Sequence, residues 1–217
     1  MHHLDRTPIP SPACLSCYRH GLNTWGDLSS DERQTIRVAL EEFQGRRCAY
    51  CECNLDQYEH IEHFRQRDRY PQETFNWDNF FLSCNHDDSC GRHKDRCSVY
   101  NHQDLIKPDV EDPEQYFVFI SNGTIALRAG LTDVQQHRAR ETLRILHLDA
   151  QWGPLRQMRR VAAIGYIETA QAIWELASTP RLQDWVPLLE EELAQIENLP
   201  FCTAIKHVLT PQGARAE

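Results

Sequence analysis

The chain has 217 residues, nine cysteines and a formal net charge of −9, enough length for one or two domains with a buried core. No stretch approaches the roughly 20 apolar residues of a membrane span, and the start has no secretory apolar run, so a cytoplasmic protein without a membrane segment is expected. The odd cysteine count excludes a fully paired disulfide framework and favours metal, while the acidic balance demands local basic patches or a partner if the chain is to grip nucleic acid.

Residues 1–28 are rich in proline and turn formers, and Ile9-Pro10-Ser11-Pro12 reads as an extended N-terminal arm that packs on the rest. Ser29-Ser30-Asp31-Glu32 forms a capping-box pattern. Ile36, Ala39, Leu40 and Phe43 then recur at helical spacing up to Gly45, which predicts a helix over 30–44. A strand is expected from about Tyr58 to Phe64, a short one over Phe80–Ser83, and a helix starting soon after Asp88. Tyr116–Ile120 and Thr124–Leu127 flank Asn122-Gly123, a hairpin signal of the type I′ kind. From Thr132 onward, segments near 132–146, 154–177 and 182–197 carry apolar residues at helical spacing. The fold class is α+β, mainly helical. The units are an arm (1–28), a core with its preceding helix (29–105), a β-hairpin connector (106–130) and a helical C-terminal module (131–217).

The cysteines give the first chemical reading. Cys48 and Cys51 have the two-residue gap that lets two thiolates share one tetrahedral zinc, and Cys84 with Cys90 would close a four-sulfur structural site. Cys53, just beyond the knuckle, is a competing ligand, and Cys84 could instead be a small buried residue. Cys14 and Cys17 have the same gap, with His20 near, but no second pair completes them. Cys53, Cys97 and Cys202 are assigned to packing or solvent.

Glu62-His63 gives the second. His63, at the end of its strand, suits a general base acting on water beside a scissile phosphate. Glu62 points to the other face and offers a hard oxygen to a divalent cation, with His93 as second ligand. His60 shares the face of Glu62 and is the substitute ligand should His93 be misplaced. Asn79 is placed to bridge loop backbone and hold the His-bearing segment in register. Arg65, Arg67, Arg69, Arg92, Lys94 and Arg96 could position phosphates, whereas Arg156, Arg159 and Arg160 read as partner-facing or solvated and Glu190, Glu191 and Glu192 as a solvated helix face.

The ordered set Cys48-x-x-Cys51, Glu62-His63, Asn79 with Cys84 five residues on, and Cys90-x-x-His93-Lys94 resembles the signature of HNH endonucleases. That resemblance implies a ββα-metal core, catalysis by His63, Asn79 and His93, a Mg²⁺ or Mn²⁺ ion on Glu62 and His93, and structural Zn²⁺ on the four cysteines. Glu62 stands where Asp is usual, and the gap from Cys84 to Cys90 is longer than the common one. The arm, the Asn76-Trp77-Asp78-Asn79 run, Leu105–Pro108 with Asp112-Pro113, the hairpin and the helical tail extend the likeness to the HNH subunit of the Septu anti-phage system, including retron-associated versions. It implies an ABC or SMC-like ATPase partner, in retrons a reverse transcriptase with its RNA-linked single-stranded DNA, and a DNA or RNA substrate whose phosphodiester bonds are hydrolysed. The second reading is a catalytically inactive, zinc-stabilised adaptor that binds a partner protein.

Overall fold

Ser29 accepts the Glu32 N–H while the Glu32 carboxylate takes the Ser29 N–H, so the capping box forms and helix α1 runs Ser30–Gln44. Gly45 ends it at φ +59, a left-handed conformation that glycine adopts without steric cost. These features come from a computed structural model that describes residues 1–55, 59–178 and 185–210. Ile36, Leu40 and Phe43 of α1 are buried on one face and join the main core.

After α1 the chain makes a tight knuckle, closed by Cys48 N–H to Cys53 O at 2.9 Å and Glu52 N–H to Cys48 O at 3.0 Å. Strands β1 (Glu59–His63) and β2 (Phe80–Cys84) pair antiparallel, with His63 opposite Phe80 and Glu59 opposite Cys84. The expected strand start at Tyr58 lies outside the described residues. Every residue of β2 is buried, because α1 covers one face and helix α2 (Cys90–Arg96) the other end. Two strands and a helix thus follow the knuckle in chain order.

Strands β3 (Phe117–Phe119) and β4 (Ile125–Leu127) form the second hairpin. Its turn is not type I′: only Gly123 has positive φ, at +90, and Gly123 N–H closes on Ile120 O at 2.8 Å. A tight turn followed by a left-handed glycine is the longer-loop solution to the same hairpin. Helix α3 (Asp133–Ile145) starts at a second capping box, Thr132 with Gln135.

The helix expected over 154–177 is two helices, α4 (Pro154–Ile164) and α5 (Ile167–Ala177), parted at Gly165-Tyr166. Apolar spacing continues through the break, which is why periodicity alone does not reveal it. Helix α6 spans Trp185–Ile196, and residues 182–184 of its expected start lie outside the described residues. Helix α7 (Cys202–Leu209) has no counterpart in the sequence reading, being too short for a clear helical period. It packs on β3, where Phe119 N–H donates to His207 Nδ1 at 2.9 Å.

The arm is pinned by Arg6. Its guanidinium lies 4.2 Å from the Phe43 ring centroid, donates to Trp77 O and Phe80 O at 3.2 and 2.9 Å, and pairs with Asp109 at 2.8 Å. Met1, Leu4, Leu15 and Leu28 are buried beside it in the main core. A second core joins the end of α4 to α5, α6 and α7. Among the described residues no helix is long and apolar enough to cross a membrane.

Candidate functional site

The knuckle, the end of β2 and the start of α2 bring Cys48, Cys51, Cys84 and Cys90 together, all buried, with their sulfurs within 4.8 Å of one another. Cys51 Sγ and Cys84 Sγ are 3.8 Å apart. A tetrahedral zinc with Zn–S bonds of about 2.3 Å requires sulfur separations of roughly 3.8 Å, so the four thiols fit a closed metal site. Cys90 reaches it from φ +57, with its N–H on Leu146 O at 2.7 Å. Burial opposes ionisation of Cys48, yet hydrogen bonds from Cys51, Cys53, Cys84 and Cys90 outweigh it and hold Cys48 well below its usual range. Burial and the neighbouring Cys48 push Cys51 and Cys90 up. Cys48 opposes ionisation of Cys84, but hydrogen bonds from Cys51, Cys53 and Cys90 bring it down to about 5, and two thiolates side by side among crowded thiols are an arrangement that a metal ion relieves. Around it, Cys84 N–H points at Cys48 Sγ, 3.4 Å away, and Gly91 N–H donates to Ser83 Oγ at 3.0 Å. Cys53 lies against the same thiols, hydrogen-bonding Cys48, and with Cys84 and His86 forms a second group that could hold a metal.

On the α2-facing side of β1 lies Glu62, 1% exposed. Gly91 and Lys94, three apart on α2, share the face turned towards it. Lys94 Nζ is 2.7 Å from Glu62 Oε1, a charge contact without hydrogen-bond alignment, and donates to His63 O and Asp95 Oδ1, each at 2.9 Å. Burial opposes the Glu62 charge, but Lys94 and then His60 hold its pKa below the usual carboxylate range. His60 Nε2 lies 3.3 Å from Glu62 Oε2.

His63 projects to the opposite face, as alternation along a strand requires. Its ring packs edge-on against Trp25 and Phe80, with centroids 4.6 and 4.9 Å away. Nε2 is 3.1 Å from Thr74 O. A carbonyl only accepts, so Nε2 carries the proton and Nδ1 keeps its lone pair. Burial, with only partial compensation from Thr74, lowers the His63 pKa to about 3, so the ring stays neutral. A polar cleft of about 380 Å³ is lined by His60, Glu62, His63, Arg67, Arg69 and Asp95.

Asn79 stands next to Phe80 and bridges loop backbone. Its Oδ1 accepts Arg65 N–H at 2.7 Å, and Nδ2 donates to Arg65 O and Glu73 O at 3.1 and 3.2 Å.

His93 is placed differently from the expectation that it meets Glu62. The ring turns to α3, where Nδ1 donates to Ile145 O at 2.9 Å and the plane stacks on His147 at 4.4 Å. The reason is helical geometry: with Gly91 and Lys94 facing the strand, His93 falls about 100° round the helix from Lys94.

Three basic side chains also depart from their expected roles. Lys94 is buried and committed to Glu62, so it does not reach a phosphate in the cleft. Arg159 is buried rather than solvated, donating to Gly123 O at 2.9 Å and pairing with Asp149 at 3.2 Å. Arg156 pairs with the same Asp149 at 2.9 Å. Sequence reasoning missed Trp25 and the Thr74 carbonyl, which have no spacing signal. Lys94 had one, its three-residue step from Gly91.

No family model matches the chain. It is similar to the Septu protein PtuB of Bacillus thuringiensis, 28% identical over 163 residues that cover 73% of this chain and 56% of that protein. The chain thus spans about half the length of the curated relative it matches, and the similarity supports a Septu-related protein.

Proposed function

We propose that this chain is a metal-dependent HNH-type endonuclease that hydrolyses nucleic-acid phosphodiester bonds as the effector of an anti-phage defence complex with an ABC or SMC-like ATPase. The observation that carries the reading is the placement of His63, its tautomer fixed by Thr74 O so that Nδ1 is the unprotonated nitrogen, beside Glu62 in the same cleft. Resemblance to Septu protein PtuB supports the defence assignment.

In this reading His63 Nδ1 takes a proton from water as the water oxygen bonds to phosphorus and the P–O3′ bond breaks. Asn79 fixes the loop after His63, and with it the direction of the ring. Arg67 and Arg69 in the cleft wall hold phosphate oxygens without reading bases. Glu62 offers a hard carboxylate oxygen to Mg²⁺ or Mn²⁺, and that ion, when bound, supplies positive charge to the departing 3′ oxygen. The four cysteines hold zinc and take no part in the chemistry.

The test is a cleavage gel with plasmid DNA and total tRNA, using the purified full chain alone and with its ATPase partner, in Mg²⁺ or Mn²⁺. His63→Ala should lower cleavage by about 10²-fold or more, with zinc content and thermal midpoint retained as the check on folding. Equal cleavage by wild type and variant removes His63 as base. The burial of Glu62 against Lys94 favours the adaptor reading, which predicts zinc content and partner binding with no cleavage under any condition.

A further inference from the structure

We propose, building on the zinc reading of Cys48, Cys51, Cys84 and Cys90, that Cys53, Cys84 and His86 form a second, weaker site for a zinc-class cation, with the Cys84 sulfur shared between the two. The donor atoms of Cys53, Cys84 and His86 lie within 4.8 Å of one another. Bonds of about 2.3 Å to sulfur and 2.0 Å to nitrogen set tetrahedral donors roughly 3.5–3.8 Å apart, so a small closure of the set holds an ion. Both sulfurs are fixed by burial, whereas His86 is exposed in the turn after β2 and closes by rotation of its side chain.

The backbone explains why a fifth thiol is here. Glu52 takes φ +67, the knuckle doubles back, and Cys48 N–H donates to Cys53 O at 2.9 Å. That return sets the Cys53 thiol against Cys48, Cys51 and Cys84. Glu52 O receives Phe201 N–H at 3.1 Å, which brings the start of α7 onto the knuckle. Pro200, Phe201 and Met158 of α4 then share with Cys53, Cys84 and His86 the lining of a cavity of about 530 Å³. None of these six residues lines the cleft of His63.

Two thiolates and an imidazole suit a zinc-class cation and not a hard one such as Mg²⁺. A thiolate sulfur bonded to one ion keeps lone pairs for another, so Cys84 serves both sites, and Cys53 releases its proton to solvent as its sulfur–metal bond forms. Four thiolates outweigh the charge of one zinc, and a second cation against Cys84 lowers that surplus. Three protein donors leave the fourth tetrahedral position open to the cavity, where water fills it. With one donor fewer than the closed site, and that histidine exposed, the second site fills only when metal is added to the zinc-loaded chain.

The experiment is a Co²⁺ titration of the zinc-loaded full chain without oxygen, followed by visible and near-ultraviolet absorption, on wild type, His86→Ala and Cys53→Ser. Zinc binds thiolates more tightly than cobalt, so the first site keeps its metal, and zinc content after the titration checks this. Wild type should take up one Co²⁺ per chain, with the strong d–d bands of a tetrahedral ion and thiolate-to-cobalt charge transfer. Each variant should bind it roughly tenfold more weakly or worse while retaining one zinc. His86 is exposed, so His86→Ala tests the site even if Cys53→Ser fails to fold. Absence of the thiolate bands in wild type, or unchanged bands in His86→Ala, overturns the proposal. Loss of zinc from folded Cys53→Ser also overturns it, since Cys53 would then belong to the first site. A wild-type chain isolated without zinc removes the four-sulfur reading and the second site with it, whereas retained zinc without the cobalt bands removes the second site alone.

Discussion

Asn79 grips Arg65 by both ends of its backbone, accepting its N–H at 2.7 Å and donating to its carbonyl at 3.1 Å. The same amide donates to Glu73 O at 3.2 Å, so one buried side chain fixes the start and a middle turn of the loop between β1 and β2. Replacing Asn79 by Ala leaves these backbone groups without partners, at about 1–3 kcal/mol for each buried one. We expect a loss of roughly 2–4 kcal/mol in urea unfolding. Asn79→Asp is the sharper variant, because its carboxylate keeps the bond from Arg65 N–H but sets an oxygen against two carbonyls. It should be no more stable than the Ala variant, and a wild-type midpoint for Asn79→Asp would sink this account.

Removal of zinc should be felt by the whole finger. The four thiols are buried and two of them, Cys48 and Cys84, are held below the usual thiol range by their neighbours, so metal binding is folding energy for the knuckle. Cys48→Ser should lower the thermal midpoint by at least about 10 °C or give insoluble protein, consistent with a loss of several kcal/mol. Metal analysis should return one zinc per wild-type chain, and a strong chelator should reproduce the destabilisation. A Cys48→Ser protein with full stability would show the cluster to be an ordinary thiol core.

How much of this was legible in the sequence follows the range of each signal. Local chemistry was readable: the box at Ser29 and Glu32, the stop at Gly45 and the Cys48-Cys51 knuckle are decided by residues within four positions of one another. Cys84 and Cys90 could be paired with that knuckle from residue type and order alone. The placement of His93 could not, because it depends on which face of a seven-residue helix meets β1, and Gly91 and Lys94 decide that through contacts with Glu62. The break between α4 and α5 was hidden by continuing apolar spacing, and Arg159 looked solvated because its partners, Gly123 and Asp149, are remote in sequence.

Gly123 is a place where a missing side chain is needed. Its φ of +90 is strained for any other residue, and a Cβ would meet the Arg156 carbonyl oxygen at 2.0 Å. Main chain cannot yield there as a flexible side-chain end would. Gly123→Ala should therefore cost more than the roughly 1 kcal/mol of a left-handed alanine alone, on the order of 3 kcal/mol with the displaced α4 included. Unfolding midpoints in urea measure it. A variant within about 0.5 kcal/mol of wild type would mean that the hairpin turn does not press on α4.

Glu114 ties the β3 approach to α7, accepting from Lys206 Nζ at 2.9 Å and from His207 Nε2–H at 3.2 Å. His207 Nδ1 receives Phe119 N–H, which fixes the proton on Nε2 and aims it at the carboxylate. Burial opposes the Glu114 charge, but His207 and Lys206 outweigh it and bring its pKa from 4.5 down to about 2. A depressed carboxylate pKa means that the folded state binds the proton less readily than the unfolded chain, so the stabilisation is fully present above about pH 4.5 and is lost as pH falls through about 2. Lys206 is half-exposed, so solvent screening reduces the contribution to the order of 1–2 kcal/mol. Glu114→Gln should accordingly be less stable than wild type by that amount at pH 7, and the difference should shrink steadily between about pH 4.5 and 2. Urea midpoints of both proteins at pH 7, 5, 4 and 3, taken as differences so that other titrating groups cancel, provide the measurement. A difference that stays constant across this series would show that the pair contributes through packing and not through charge.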